Sequence, residues 1–324
     1  MKVMFLPLNY GDVRQNGVSD AFRAAGCNLK EFDYFKEHSA NRNLKVVRAK
    51  LVTRVNDFKP DLLHVQIQHT NIIDHNTISL IKSQHPRLIV SNWTGDVRNY
   101  IPPTYKNIAK VADYNLISST GQLPMFRKAI GNNVHYWQIG YDPKLYFPEA
   151  KERPRFDADC IFIGHHNKRE KYPGAATRIN ACSLLRREFG SRFKLFGANW
   201  PNELASSGSV DQKTVSSKYY SSLCSISISH YNDLSHYFSD RLLMALASGR
   251  PVISLRFPGW ESYFTHMSDL IIVDDINQIP SMVRWCQKNP EHAAFIGKSG
   301  AAKVAAEHTY FNRVIELLEI LKLR

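Results

Sequence analysis

The sequence predicts an α/β fold in two halves, each built on a parallel sheet. Short apolar runs alternate with amphipathic stretches of helical length along the chain, the pattern of βαβ units. The alternation breaks once, at 140–148 and the charged run 149–157, and then restarts. A length of 324 residues exceeds most single cores and suits two domains.

In the first half, residues 2–8 read as a strand, 18–25 as a helix and 29–35 as a second strand. Helix 43–58 carries the stripe Leu44, Val47, Leu51, Val55 and Phe58, flanked by Arg42, Lys45, Arg48, Lys50 and Arg54 with no acid among them. Lys59-Pro-Asp61 stops it. Strand 61–68, helix 73–83 and strand 87–91 follow, then the loop Asn92-Trp-Thr-Gly-Asp-Val-Arg98. Helix 104–111, strand 114–118, helix 122–130 and strand 134–138 complete this half.

The second half opens with the buried strand 160–164 and helix 173–189. Strand 193–197, a polar loop, helix 213–222 and strand 225–229 come next. Helix 238–248 has Ser239 and Asp240 as N-cap residues and Leu242, Leu243, Leu246 and Ala247 at helical spacing. Gly249 ends it and Pro251 cannot continue it. Strand 252–255, a short helix near 260–265 and strand 269–273 lead to three helices near 276–289, 291–306 and 310–322.

The chain is 44% hydrophobic and 22% charged, ordinary for a globular protein. No apolar run reaches the roughly 18–20 residues of a membrane span, and the start is broken by Pro7 before a signal h-region develops. A cytoplasmic location is expected. Cys27, Cys160, Cys182, Cys224 and Cys286 lie far apart with no CxxC, which favours reduced buried thiols. A net charge of +13 attracts polyanions: a nucleic acid, an anionic membrane face or phosphorylated small substrates.

In parallel sheets, ligands sit beyond the carboxyl ends of the strands. Candidate site residues therefore fall at 9–12, 94–98, 164–167, 197–200, 230–231 and 239–241, in a cleft expected between the two sheets. The start of helix 238–248 presents unpaired amides and the positive end of a dipole, which suits a diphosphate, and Arg241 adds a cation.

Ser239-Asp-Arg241, Ala247-Ser-Gly-Arg-Pro-Val252, Pro258-Gly-Trp-Glu261, Asp269-Leu-Ile-Ile-Val273 and Glu307-His-Thr-Tyr310 together resemble the C-terminal half of GT-B glycosyltransferases of group 1. The spore-maturation-protein-like branch, also frequent in phages, is the most similar. Asn92-Trp-Thr-Gly-Asp-Val-Arg98 and Gly140-Tyr-Asp-Pro143 extend the likeness into the first half. The resemblance implies two Rossmann-like domains: 1–148 on the acceptor side, 149–308 holding a nucleotide-sugar donor such as a UDP-sugar, and a last helix, 309–324, crossing back to the first. It implies transfer of a hexosyl or pentosyl group to a hydroxyl, with no obligatory metal and no cofactor beyond the donor. One departure stands out. Group 1 enzymes often carry two glutamates eight residues apart before this Gly-Pro turn, and those places are His236 and Met244 here. Ribose and sugar contacts then fall to Asp240 or Glu261, and the stereochemistry stays open.

On this reading the donor side comprises Gly164, His165, His166, Asn167, Gly197, Trp200, His230, Tyr231, Ser239, Asp240, Arg241 and Glu261. Arg169 and Lys171 read as assisting cations or solvated surface charges. The acceptor side comprises Asn9, Tyr10, Gly11, Trp93, Arg98 and Arg48. Arg241 would stabilise the departing diphosphate. An inverting reaction also needs a base, for which Asp96 comes first and Asp12 second; Asp96 reads equally as an Asx-turn residue. Asp157-Ala-Asp159 precedes its strand, the wrong end for chemistry, so no metal site is expected there. His64, His69, His75 and the His165-His166 pair lack metal-ligand spacing. The basic helix 42–54 reads as a solvated face or as a DNA surface, which makes a hydroxymethylated base in DNA the first acceptor hypothesis. A surface glycan or glycoconjugate is the competing acceptor, and a non-catalytic nucleic-acid-binding protein on this scaffold is the alternative class. A dehydrogenase is disfavoured, since no GxGxxG follows a strand.

Overall fold

The structure, a computed structural model, describes residues 1–10, 14–68, 70–149, 156–167 and 172–323. The chain forms two compact units. The first comprises Met1–Ile139 and Tyr310–Arg324, and the second comprises Gly140–Thr309. Residues 140–148, expected with the first domain, lie with the second: Tyr141 bridges to Thr309, and the Phe147 amide donates to Ser216 Oγ at 3.2 Å.

In the first unit the elements run β1 (Lys2–Leu6), α1 (Asn16–Ala24), β2 (Asn28–Glu31), α2 (Tyr34–Asn41), α3 (Leu44–Phe58), β3 (Leu62–Val65), α4 (His75–Gln84), β4 (Ile89–Thr94), α5 (Pro103–Ala109), β5 (Tyr114–Ile117), α6 (Leu123–Ile130) and β6 (Val134–Tyr136). The sheet is parallel with order β2-β1-β3-β4-β5-β6. Strand periodicity divides β1 between two cores. Met4 and Leu6 join Val47, Leu51 and Val55 of α3 on one face. Val3 and Phe5 join Val18 and Phe22 of α1 on the other.

Two elements depart from the sequence reading. The run 29–35, expected as one strand, holds β2 and then the start of α2. Asp33 breaks it: its carboxylate accepts from the Lys36 amide at 3.0 Å and caps the helix. Strand β4 extends to Thr94, so Trp93 is not in a loop but inside the unit at 1% exposure, against His64 and Trp137.

The second unit runs β7 (Ala158–Ile163), α7 (Ala175–Phe189), β8 (Phe193–Phe196), α8 (Val215–Tyr220), β9 (Ser222–Ser227), α9 (Asp240–Ala247), β10 (Val252–Leu255), β11 (Ile271–Val273), α10 (Ile279–Lys288) and α11 (Pro290–Glu307). Its parallel sheet has order β11-β10-β9-β7-β8. The short helix expected near 260–265 is a single 3-10 turn, Trp260–Ser262. The final helix, α12 (Tyr310–Ile320), belongs to the first unit. Val314, Leu317 and Leu318 pack with Val18 and Phe22, and Trp137 Nε1 donates to the Arg313 carbonyl at 2.6 Å.

Candidate functional site

The second sheet reverses direction at β7. From there the chain steps outward to β8 on one side and to β9, β10 and β11 on the other. The carboxyl ends of β7 and β9 therefore flank a topological switch point, the usual ligand position in open α/β sheets. Gly164–Asn167 follow β7 and Ser229–Tyr231 follow β9.

The loop after β7 is zipped to the loop after β8. The Gly164 amide donates to the Phe196 carbonyl and the His166 amide to the Ala198 carbonyl, both at 2.9 Å. In return the Ala198 amide donates to His165 Nδ1, and Trp200 Nε1 donates to the Gly164 carbonyl, both at 2.8 Å. Gly197 lies in the left-handed half of backbone space at φ +128°, and a side chain on it would run into the Gly164 carbonyl. Gly164 needs to be glycine for another reason. A Cβ there would collide with Nη2 of Arg178 and stand 3.5 Å from Nε of Arg241.

Arg178, the fourth residue of α7, is the residue that sequence reasoning missed. It is 1% exposed. Its guanidinium stands 4.9 Å from the centre of the Phe162 ring and 5.8 Å from that of Trp200. Nη1 donates to Nε2 of His230, while Nε and Nη2 are sealed from solvent with no partner among the described residues. No carboxylate among the described residues pairs with it. Burial and the neighbouring charge of Arg241 push its pKa down. A buried cation is normally compensated, and no described residue supplies a carboxylate to this one. Arg178 looked like any other basic residue of helix 173–189; only its burial distinguishes it.

Burial, Arg178, Arg241 and His166 hold His230 down to about 3, so its imidazole is neutral at physiological pH. His165 is also lowered, by burial and then by Arg241 and Arg178. Its Nδ1 accepts the Ala198 amide, so the neutral ring carries its hydrogen on Nε2. His166 is buried with its ring 5.3 Å from Trp200. The Tyr172 ring lies 4.9 Å from that of His230 and 6.0 Å from that of Tyr231.

Helix α9 contributes its amino end. Ser239 is the N-cap residue but makes no side-chain cap bond; instead the Arg241 amide donates to Asp240 Oδ1 at 2.9 Å. The Arg241 side chain is 34% exposed, with Nη1 3.9 Å from the same carboxylate oxygen. Two helices thus converge on Gly164, α7 through Arg178 and α9 through Arg241, and the loop after β9 joins them through the bond of His230 to Arg178. The result is a cluster of cationic and aromatic side chains around the Gly164 backbone.

Other expected residues fall elsewhere. Glu261 pairs with Arg256 at 3.4 Å on the turn after β10. His236 packs its ring against Gly259 of that turn, and its amide donates to the Pro258 carbonyl at 2.8 Å. Trp200 is a wall beneath Arg178 rather than an open platform. In the first unit, Trp93 is a core residue and cannot touch an acceptor as the structure stands. Arg48 is spent internally: it pairs with Asp74 at 2.8 Å and donates to the carbonyls of Asn71 and Ile72 at 2.6 and 2.9 Å. Asp96 is 59% exposed and paired with Arg98 at 2.9 Å. Asn9 is buried and donates to Asp33 at 2.9 Å, while Tyr10 is 70% exposed beside the Phe35 ring. Gly11, Asp12, His69, Arg169 and Lys171 lie outside the described residues. A separate, more apolar groove of about 710 Å³ lies at the other end of α9, lined by Tyr146, Phe147, Tyr220, Gly249, Lys298 and Ala301. Arg250 and Lys298 are the cations along it.

The fold is that of an α/β protein of two parallel-sheet units, with cationic and aromatic side chains gathered at the carboxyl ends of β7 and β9 in the second. A family model described as glycosyl transferase-like matches residues 178–319, from Arg178 into α12. Solved structures share the fold over the whole chain. HepE of Anabaena, in complex with UDP and glucose, superposes with a TM-score of 0.67 at 13% identity, covering 100% of both chains. Sucrose-phosphate synthase of Thermosynechococcus elongatus gives 0.66 at 14% identity, covering 99% of this chain and 98% of that one. A glycosyltransferase of Rickettsia africae gives the same values. No curated protein matches the sequence. The fold is that of the GT-B glycosyltransferases. Among the described residues no helix is long and apolar enough to cross a membrane.

Proposed function

We propose that the chain is a nucleotide-sugar-dependent glycosyltransferase whose donor diphosphate lies over Gly164, between Arg178 and Arg241. The observation that carries this reading is the buried Arg178 guanidinium, which has no carboxylate partner among the described residues and opens the glycosyl transferase-like region. Charge grows on the diphosphate as the glycosidic bond breaks. A fixed cation in a dry, low-dielectric setting stabilises that charge without reorganising at the moment of reaction. Arg241 and the α9 amides add to it from the exposed side. The UDP and UDP-glucose complexes of HepE favour a UDP-sugar as donor. Asp96, paired with Arg98 at 2.9 Å, is the base candidate for an inverting reaction.

For the acceptor, a saccharide or glycoconjugate hydroxyl is favoured over a hydroxymethylated base in DNA. The DNA reading leaned on the basic helix α3, and two of its cations are engaged internally: Arg48 with Asp74 and Lys50 with Glu37.

The test is UDP binding and UDP release from UDP-sugars. Arg241→Ala is expected to weaken UDP about tenfold, the loss of one charge-assisted bond, and to slow release, with thermal stability of the free protein nearly unchanged. Absence of UDP binding and of turnover, together with tight DNA binding, would instead point to a non-catalytic nucleic-acid-binding protein.

A further inference from the structure

Two bonds in the pocket specify where hydrogens must lie. Arginine is a donor only, so Nε2 of His230, which takes the bond from Arg178 Nη1, must be bare. A neutral imidazole with a bare Nε2 carries its hydrogen on Nδ1. That Nδ1 is sealed from solvent and has no acceptor among the described residues. We propose that Arg178 locks His230 in the Nδ1–H tautomer, and that this N–H is held for an acceptor oxygen of the bound ligand, which on the reading above is a donor diphosphate oxygen.

The arrangement makes His230 a donor that pH does not switch. Among the described residues, the charged and titratable groups facing it are Arg178 from α7, Arg241 from α9 and His166 from the loop after β7, with the Tyr172 ring alongside. None is an acid, and each cation or potential cation opposes a second proton on the ring. Protonation would also place a hydrogen on Nε2 against the guanidinium that donates to it. A histidine is usually a liability in an anion site, because its charge changes near neutrality. Here the pocket takes its positive charge from two arginines and uses the histidine for direction. An unpartnered buried donor costs stability in the empty protein, and a ligand oxygen relieves that cost. His165 supplies an internal contrast: its Nδ1 is the bare nitrogen, so the two histidines carry hydrogens on opposite ring positions.

Two measurements test this. Nitrogen-15 NMR of the free protein labelled at histidine reads the tautomers, with His230→Asn identifying the resonance. The expected result is His230 as Nδ1–H and His165 as Nε2–H, with His230 not titrating from pH 8 to 5. An Nε2–H tautomer at His230, or a titration in that range, overturns the proposal. This arm needs no nucleotide, so it stands or falls apart from the donor assignment. The second arm is UDP affinity. The asparagine amide nitrogen reaches the place of Nδ1 and the glutamine amide that of Nε2. His230→Asn is therefore expected to keep UDP affinity within a few-fold, and His230→Gln to lose about ten- to hundredfold, one hydrogen bond to a charged group. The reverse order overturns the proposal. If wild-type protein binds no UDP, the donor reading falls and the NMR arm alone decides the tautomer.

Discussion

Arg178 and Arg241 reach Gly164 from two different helices, one guanidinium buried beneath the loop and the other half exposed beside it. Each lowers the tendency of its neighbours to hold a proton: Arg241 acts on Arg178, and both act on His165 and His230. Among the described residues this cluster gathers positive charge and meets negative charge only in Asp240 at its edge. Burial of uncompensated charge is a compromise between the stability of the chain and, on the proposed function, the binding of an anion.

That compromise predicts opposite signs for one substitution. Arg178→Met removes a buried charge and fills similar volume with an apolar side chain. Replacing buried charges by packed apolar groups is often neutral or stabilising by about 1–4 kcal/mol. The melting temperature of the free protein is expected to hold or rise, and UDP affinity to fall at least about tenfold. A calorimetric scan beside a UDP titration checks both, and a variant that melts much earlier yet binds UDP normally would make Arg178 a purely structural residue.

Gly164→Ala probes the same place from the backbone side. The new methyl collides with Nη2 of Arg178, which is packed between Phe162 and Trp200 and has little room to yield. Overpacking of this kind costs about 1–3 kcal/mol. The expected outcome is a moderate loss of stability in a denaturant melt together with loss of UDP binding.

The first unit carries an acid-sensitive group of its own. His64 is fully buried in an aromatic setting, bonded through Nδ1 to Ser91 Oγ at 2.8 Å, and burial pushes it down to about 3. The unfolded chain binds that proton near its ordinary value of about 6.5. Above that value the ring is neutral in both states and stability is unaffected. As pH falls toward 3 the unfolded state gains the proton and the folded state does not, so stability drops by up to about 1.4 kcal/mol per pH unit. Denaturant melts from pH 7 to pH 4 are expected to show this slope, and His64→Phe to flatten it. An unchanged slope in that variant would place the acid sensitivity elsewhere.

The sequence disclosed the fold because burial repeats with the period of each element. The stripe of Val47, Leu51, Val55 and Phe58 faces the core of the first unit, as helical spacing requires. The strands of the second sheet likewise appear as short apolar runs. Element boundaries were less legible where capping competes with an apolar run, as at Asp33. The site was half legible. Loops after strands are polar and carry glycine, which is enough to single out Gly164, Gly197, His230 and Arg241 by position. Nothing in the sequence distinguishes Arg178 from Arg186 or Arg187 on the same helix. Arg186 satisfies backbone carbonyls at Gly190, Phe193 and Leu204, whereas Arg178 faces inward with no acid among the described residues. Trp93 misled in the opposite sense, because a tryptophan among Asn, Thr, Gly and Asp reads as a loop residue until the strand is seen to continue through it.

Helix α12 also imposes an order of events during synthesis. The second unit is one continuous stretch, Gly140–Thr309, and has all its parts once Thr309 leaves the ribosome. The first unit is made first but lacks Val314, Leu317, Leu318 and Leu321, which cover Val18, Phe22 and Trp137. Its apolar flank therefore stays uncovered while the whole second unit is being translated. The first unit can therefore bury that flank only with residues translated after the whole second unit, and an uncovered apolar surface of this kind is prone to aggregation in the interval.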